Sequence, residues 1–279
     1  MKMINVPSIK KIINEDDVRY LFRTCAESKF VRSNSHYSNV VDNTVFVFDA
    51  KDDDINAYAS PRHDGYQITL LMGITCWAAN FAFLRTLHTM GMPTAKVCML
   101  AAWFRSQLMA DDDNPPTVQG LVIAMKKVDF AKFHIDGTYF RELWRSNVMV
   151  AIEACIAHEM GHICLGHCDD PGYDGTVMSS NRNIERQADL FSCSILQCGT
   201  NTAEKGMGSL LLMLSLYCFN PQYVGDSTHP DSSERIDNML TSFKNIIPEK
   251  DVTLIRSMMK AIYSAKLPKP KKPKKKDED

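Results

Sequence analysis

The chain has 279 residues, of which 45 % are hydrophobic and 23 % are charged, the balance of an ordinary globular protein. This length can bury a sizeable core without disulfides or metals as staples. A formal net charge of −1 gives no general attraction to nucleic acid or to an anionic membrane, so neither is an expected partner. Any partner must therefore be inferred from a specific site.

The first residues of the chain carry charges every few positions and lack the apolar core of a secretory signal peptide. The most apolar later runs, 68–84 and 210–217, are interrupted or too short for a membrane span, which takes about 20 apolar residues. Nine cysteines without a framework spacing are typical of free thiols in a reducing compartment. We therefore expect a cytoplasmic protein with no membrane span.

The chain begins with a polar segment of helical character, residues 1–40, which we predict to be an N-terminal helical segment. Three runs rich in β-branched and aromatic residues follow at 43–50, 55–60 and 66–72, each separated from the next by a turn signal. Together they predict a small antiparallel meander.

Helical spacing of apolar residues dominates the rest of the chain. The predicted helices cover 74–90, 94–109, 141–167, 183–198, 202–219, 230–245 and 248–264. The Lys-rich residues 266–279 are predicted to be a disordered tail. The predicted fold class is α+β, mainly helical with a small antiparallel sheet, and residues 41–265 are expected to form one domain.

One short motif carries chemistry: His158-Glu159-Met160-Gly161-His162 lies inside a predicted helix. Residues i and i+4 share a helix face, so the two imidazoles can bind one zinc ion, and the intervening glutamate is directed at the open coordination position. Gly161 is expected to leave open space beside the ligands. The motif predicts one zinc ion per chain, with Glu159 as the general base of a hydrolase.

A catalytic zinc site needs a third protein ligand and one exchangeable position. His167 is one candidate, but the pattern HExxHxxGxxH requires histidine at the next position, which is Cys168. Glu185 on the following predicted helix fits better, and we take it as the third ligand. Asp189 lies one turn further on the same face, where its carboxylate can accept the free N–H of a ligating imidazole.

HExxH followed by ExxAD resembles the gluzincin metallopeptidases, and more narrowly the M48 family with its small soluble minigluzincins. Three further segments resemble M48 motifs: the strand Asn56–Ala59 with the strand after it, the continuation of HExxH to His167, and Thr228–Pro230 with Arg235. The resemblance covers residues 40–245 except 92–140, and it implies a zincin-like metallopeptidase fold.

The resemblance also implies roles for individual residues. Four of them would form an edge strand that binds an extended peptide substrate by strand addition: Asn56, Ala57, Tyr58 and Ala59. His229 would stabilise the oxyanion of the reaction, and Arg235 would hold its own segment in place through a carboxylate. On this interpretation the protein is a zinc-dependent endopeptidase that acts on protein or peptide substrates.

Other functions fit the same residues. One is a catalytically inactive protein-binding module of gluzincin fold, although such a module has no need of the base Glu159. Another is hydrolysis of a non-peptide amide, for which a narrow cleft without a free strand edge would be typical. Soluble phage-exclusion and toxin-like peptidases also combine HExxH with a helical body, so the sequence leaves the narrower family open.

Overall fold

The structure is a computed structural model, and it describes residues 8–108, 117–118, 120–121, 137–169, 182–218 and 231–265. The helices are α1 (Glu15–Ala26), α2 (Lys29–Arg32), α3 (Ser35–Asp42), α4 (Met72–Thr89), α5 (Thr94–Leu108), α6 (Thr138–Cys164), α7 (Arg182–Leu196), α8 (Thr202–Tyr217), α9 (Ser232–Ser242) and α10 (Glu249–Tyr263). The strands are β1 (Thr44–Asp49), β2 (Ala57–Arg62) and β3 (Gly65–Leu71). The predicted tail 266–279 lies outside the described residues. The α+β, mainly helical fold class is confirmed.

The three strands form one mixed sheet in the order β1-β3-β2. β3 pairs antiparallel with β2 and parallel with β1, so the predicted purely antiparallel meander is wrong in strand order and in one pairing. The physical reason lies in β3, whose last four residues are all buried, as expected for a strand with neighbours on both sides. β2 contains Pro61, which cannot donate a ladder hydrogen bond and is therefore tolerated at an edge.

The N-terminal helices are part of the main body of the protein. α1 begins with a capping box, in which the Asn14 side chain accepts from the Asp17 backbone N–H at 2.9 Å and Asp17 accepts from the Asn14 backbone N–H at 3.1 Å. Its buried residues Val18, Leu21 and Cys25 belong to the same hydrophobic core as the residues of α4–α10. The predicted boundaries, 1–40 for the N-terminal helical segment and 41–265 for the domain, stay predictions.

Helix α6 is the centre of this core and packs against α1, α4, α7 and α8. From Asn147 to Cys164 all its residues are buried or half-buried, whereas its first turns expose Arg141, Glu142 and Ser146. The predicted helix 141–167 begins earlier, at Thr138, and ends earlier, at Cys164. Gly166, with φ of +73°, takes the left-handed conformation that commonly ends helices, and the chain then turns into a short 3₁₀ helix, His167–Asp169.

Among the described helices, none combines the length and the apolar character that crossing a membrane requires.

Candidate metal centre

Three predicted ligands from two helices converge in the structure. His158 and His162 lie one turn apart on α6, and Glu185 lies in the first turn of α7. The two imidazole Nε2 atoms are 3.1 Å apart, and each lies 3.4 Å from a carboxylate oxygen of Glu185. Among the described residues, this is the one group of three His, Cys, Asp or Glu side chains arranged to hold a metal ion.

The close crossing of α6 and α7 produces this convergence. A Cβ atom added at Gly161 would lie 3.0 Å from the Ala188 Cα and 3.1 Å from its carbonyl oxygen, so α7 fills the place where a side chain would go. The expected open space beside the ligands is therefore wrong. Gly161 instead allows the backbone of α7 to approach until Glu185 reaches both histidines.

The site is largely closed to solvent. His162 is 2 % exposed, Glu185 is 3 % exposed and His158 is half-buried. Glu159, the predicted general base, is also buried, at 8 %. Inside such a site, electrostatic interactions are stronger than in water, so the balance of charges decides what the site can hold.

Asp189 and Arg235 form an outer layer behind His158. The His158 Nδ1 atom is 3.0 Å from the Asp189 Oδ1 atom, within hydrogen-bonding distance although the ring N–H is not well aligned with that oxygen. Arg235, on α9, donates to both oxygens of Asp189, from Nε at 2.8 Å and from a terminal nitrogen at 2.7 Å. The carboxylate thus lies between the ligand imidazole and a bidentate guanidinium, the arrangement that fixes a ligand's orientation.

Protonation in the site follows from these charges. Burial disfavours the charged form of each group, but the nearby charges are stronger. Burial would lower the pKa of His158, yet Asp189 and Glu185 raise it to about 10. Burial would raise the pKa of Glu185, yet His158 and His162 hold it well below its usual value. The carboxylates therefore favour a positive charge at the position where the three ligand atoms meet.

The formal charges give the same result. The carboxylates of Asp189, Glu185 and Glu159 all raise the pKa of the Arg235 guanidinium, although burial alone would lower it. Three carboxylates against one guanidinium leave two negative charges when the histidines are neutral. A divalent cation bound by the two imidazoles and Glu185 would balance them, so the donor set fits a metal ion.

His167, rejected above as a ligand, nevertheless belongs to the site. The turn at Gly166 brings the His167 Nδ1 atom to 3.1 Å from the His162 Nδ1 atom. The other ring nitrogen of His167 lies 3.0 Å from the side-chain oxygen of Gln187 on α7. Burial lowers the pKa of His167, which favours a neutral ring. The sequence signal for this contact was the separation of only five residues between His162 and His167. This spacing alone does not predict the turn at Gly166 that brings the two rings together.

The remaining predicted site residues divide into two groups. Asn56 precedes β2, while Ala57, Tyr58 and Ala59 lie on β2, an edge strand among the described residues that packs against α6 and the 3₁₀ helix. Their role in substrate binding stays a prediction. His229, the predicted oxyanion residue, lies outside the described residues.

Comparison with known protein families gives a match to the part of the chain that holds the site. A family model described as Peptidase U49 matches residues 139–259, the stretch from α6 to α10 that contains every candidate ligand together with Asp189 and Arg235. No curated protein and no solved structure matches the chain. The match is not to the M48 family, so that narrower resemblance stays a prediction. The family match and the His-His-Glu group together support a metallopeptidase-like identity for this chain.

Proposed function

We propose that the protein is a zinc-dependent peptidase in which His158, His162 and Glu185 hold the metal and Glu159 is the general base. The observation that carries the proposal is the convergence of two imidazole nitrogens and one carboxylate oxygen on adjoining helices, in a closed site with excess negative charge. Two imidazoles and a carboxylate are a usual ligand set for catalytic zinc. Zinc bound there would supply Lewis acidity toward a carbonyl oxygen and make water nucleophilic at neutral pH.

The residues of the chain supply the rest of the chemistry. Glu159 follows the ligand His158 directly and shares its buried helix turn, a suitable position for taking a proton from the attacking water and passing it to the leaving amine. Asp189, braced by Arg235, keeps His158 oriented with its Nε2 atom toward Glu185. His229 is proposed to stabilise the oxyanion, in line with the resemblance to M48 peptidases.

We further propose that the substrate is a protein or peptide bound in extended form along β2. Support comes from the edge position of β2 among the described strands and from its packing against α6, the helix that carries the motif. The proposed location is the cytoplasm. All nine cysteines lie in the described residues and none forms a disulfide, which suits a reducing compartment.

The direct test measures zinc content and proteolysis on the same preparations of the full chain. We expect about one zinc per chain and cleavage of an unfolded protein such as reduced casein. Glu159→Gln should keep its zinc and lose activity by roughly 100- to 10,000-fold, because a general base contributes that much. Glu153→Gln removes the charge of another buried glutamate of α6 and is the matched control, with the stability of both variants measured because Lys205 then loses its charge partner.

Each other outcome has a definite meaning. Substantial casein cleavage by Glu159→Gln would exclude Glu159 as the base. Wild-type protein that stays free of zinc after zinc is supplied would exclude the proposed metal centre. Zinc binding without cleavage of any peptide library would favour the protein-binding alternative.

A further inference from the structure

Three side chains form a hydrogen-bonded line that leads away from the metal site. The His162 Nδ1 atom contacts the His167 Nδ1 atom at 3.1 Å, and the His167 Nε2 atom contacts the Gln187 Oε1 atom at 3.0 Å. His162 and His167 are buried, whereas Gln187 is exposed at the outer end of the line. Gln187 lies on α7 two residues after Glu185, so the line connects the end of α6 back to the helix that supplies the third ligand.

The proton positions along this line follow from the metal end. A histidine that binds a metal through Nε2 must carry its proton on Nδ1. The Nδ1–H of His162 therefore donates, and the Nδ1 atom of a neutral His167 must accept. The remaining proton of His167 is then on Nε2, where it can be donated to the carbonyl oxygen of Gln187.

The same result follows from the outer end. With the Gln187 oxygen facing His167, the His167 Nε2 atom must be the donor, so its Nδ1 atom is an acceptor and only a protonated His162 Nδ1 satisfies it. The opposite orientation of the Gln187 amide would reverse every bond and place a proton on the His162 Nε2 atom, which would block metal binding. The line therefore has one arrangement that is compatible with the site.

We propose that His167, supported by Gln187, is a positioning residue of the metal centre that fixes the tautomer and orientation of His162. This inference rests on the metal site proposed above. His167 is not itself a ligand of that site, because it contacts the ring nitrogen of His162 that is not the one lying 3.4 Å from Glu185. The two ligand histidines are thus held differently: His158 by the carboxylate Asp189, and His162 by a neutral imidazole.

The test compares two substitutions that differ in hydrogen bonding. His167→Leu removes the acceptor, whereas His167→Asn retains an amide oxygen that can reach the place of Nδ1. His88→Leu is the control, because His88 is half-buried near the end of α4 and its hydrogen bond within the described residues goes to Thr94, the first residue of α5. The zinc dissociation constant is measured by competition with a chromophoric chelator, and the visible spectrum is recorded after cobalt substitution.

His167→Leu should weaken zinc binding by about 10- to 100-fold, the usual effect of losing an outer hydrogen-bond partner. His167→Asn should stay within about threefold of wild type and keep its cobalt spectrum. Gln187→Met should have a smaller effect than His167→Leu, since water can replace the exposed amide. Equal zinc affinity in His167→Leu and wild type would overturn the proposal, and so would equal losses in the Asn and Leu variants.

A measurement on the wild-type chain covers the case in which a variant fails to fold. Nitrogen-15 NMR of the histidine rings should show the zinc-loaded protein with His167 protonated on Nε2 and unprotonated on Nδ1. The reverse tautomer would overturn the proposed line even if zinc binds normally. Failure of the wild type to bind zinc would overturn the proposed function instead, so the two failures are distinguishable.

Discussion

Two of the buried polar regions along helix α6 differ in how their charges are balanced. In the first, Glu153 is paired with Lys205 of α8, whose Nζ atom lies 2.6 Å from the Glu153 Oε1 atom. Glu153 is buried and Lys205 is half-buried, and one positive charge meets one negative charge. In the second, the carboxylates of Glu185, Asp189 and Glu159 all act on Arg235, beside His158 and His162.

The difference separates a structural ion pair from a binding site. The Glu153–Lys205 pair balances its own charge within the protein, although its contact is not aligned as a hydrogen bond. The metal centre leaves two negative charges and two imidazole nitrogens directed at one point, which a bound cation would satisfy. Burial and charge alone do not distinguish the two regions; the distinguishing feature is whether the chain supplies its own counter-ion.

The largest predicted effect on stability comes from breaking the Glu153–Lys205 pair. Lys205→Met should lower the free energy of unfolding by about 3–5 kcal/mol, because it leaves the buried Glu153 carboxylate without a partner. Zinc content per folded chain should stay unchanged. Urea denaturation in the presence of a chelator measures the first quantity, and metal analysis measures the second.

Replacing both partners provides the control for that experiment. Glu153→Leu combined with Lys205→Met should recover most of the lost stability, because a buried pair can often be exchanged for apolar residues at little cost. A double variant as unstable as Lys205→Met alone would show that the two side chains contribute more to stability than the mutual neutralisation of their charges.

The second prediction concerns the metal centre, where the carboxylates outnumber the positive charges. Glu185→Gln should weaken zinc binding by more than about 100-fold, because it removes a charged ligand of the metal. Loss of a hydrogen-bond partner behind a ligand weakens metal binding by at most about 100-fold. The metal-free stability of Glu185→Gln should fall less than that of Lys205→Met, since Asp189 still balances Arg235. Chelator competition on this variant beside Glu153→Gln separates the two regions, and similar zinc affinities in both would contradict the ligand assignment.

The sequence predicted the parts of the site that depend on local spacing. Residues four apart on one helix share a face, so His158 and His162 could be paired without a structure, and the ExxAD pattern placed Glu185 and Asp189 on a second helix face. The contact of His167 with His162 could not be predicted in the same way. It depends on where α6 ends and on the left-handed turn at Gly166.

Contacts between distant parts of the chain were missed for the same physical reason. Nothing in the local pattern connects Glu153 with Lys205, because their pairing depends on how α6 and α8 pack. The sheet was predicted as three strands, but its order was wrong because neighbours in sequence were taken as neighbours in space. The apolar residues at the end of β3, Ile68, Leu70 and Leu71, and the proline in β2 were the sequence signals for the observed order.

The third prediction compares two glycines, Gly161 at the crossing of α6 with α7 and Gly208 at the crossing of α6 with α8. Gly161→Ala should destabilise the protein by about 1–3 kcal/mol, because its new methyl group meets Ala188 of α7 at 3.0 Å. Zinc affinity should also fall, by about tenfold or less, since the displaced helix carries Glu185. Urea denaturation and chelator competition measure the two effects.

Gly208→Ala is the matched substitution at the crossing of α6 with α8. Its methyl group would lie 2.3 Å from the carbonyl oxygen of Val150, so its cost in stability should be at least as large. Its zinc affinity should nevertheless equal that of wild type, because α8 supplies no ligand. If both variants lost zinc equally, the metal centre would depend on the overall packing of α6 rather than on its crossing with α7.

The smallest predicted effect concerns the connection between the sheet and the 3₁₀ helix that carries His167. The Tyr66 hydroxyl donates to the carboxylate of Asp169, at 2.9 and 3.0 Å from its two oxygens. Tyr66→Phe should lower stability by about 0.5–1.5 kcal/mol, the usual net value of one hydrogen bond. Burial and the Asp169 carboxylate raise the pKa of Tyr66 to about 12, so the folded state favours the neutral phenol.

The pH dependence of that effect identifies its source. Because the pKa of Tyr66 is higher in the folded state than its ordinary value of 10, the contribution of the phenol is fully present below pH 10 and is lost as the pH rises toward 12. The difference in unfolding free energy between wild type and Tyr66→Phe should therefore shrink across this range. Zinc affinity measured at neutral pH should change by about threefold or less, because His167 keeps its contacts with His162 and Gln187. A larger loss would mean that the sheet holds His167 in place, and the metal centre would then extend as far as β3.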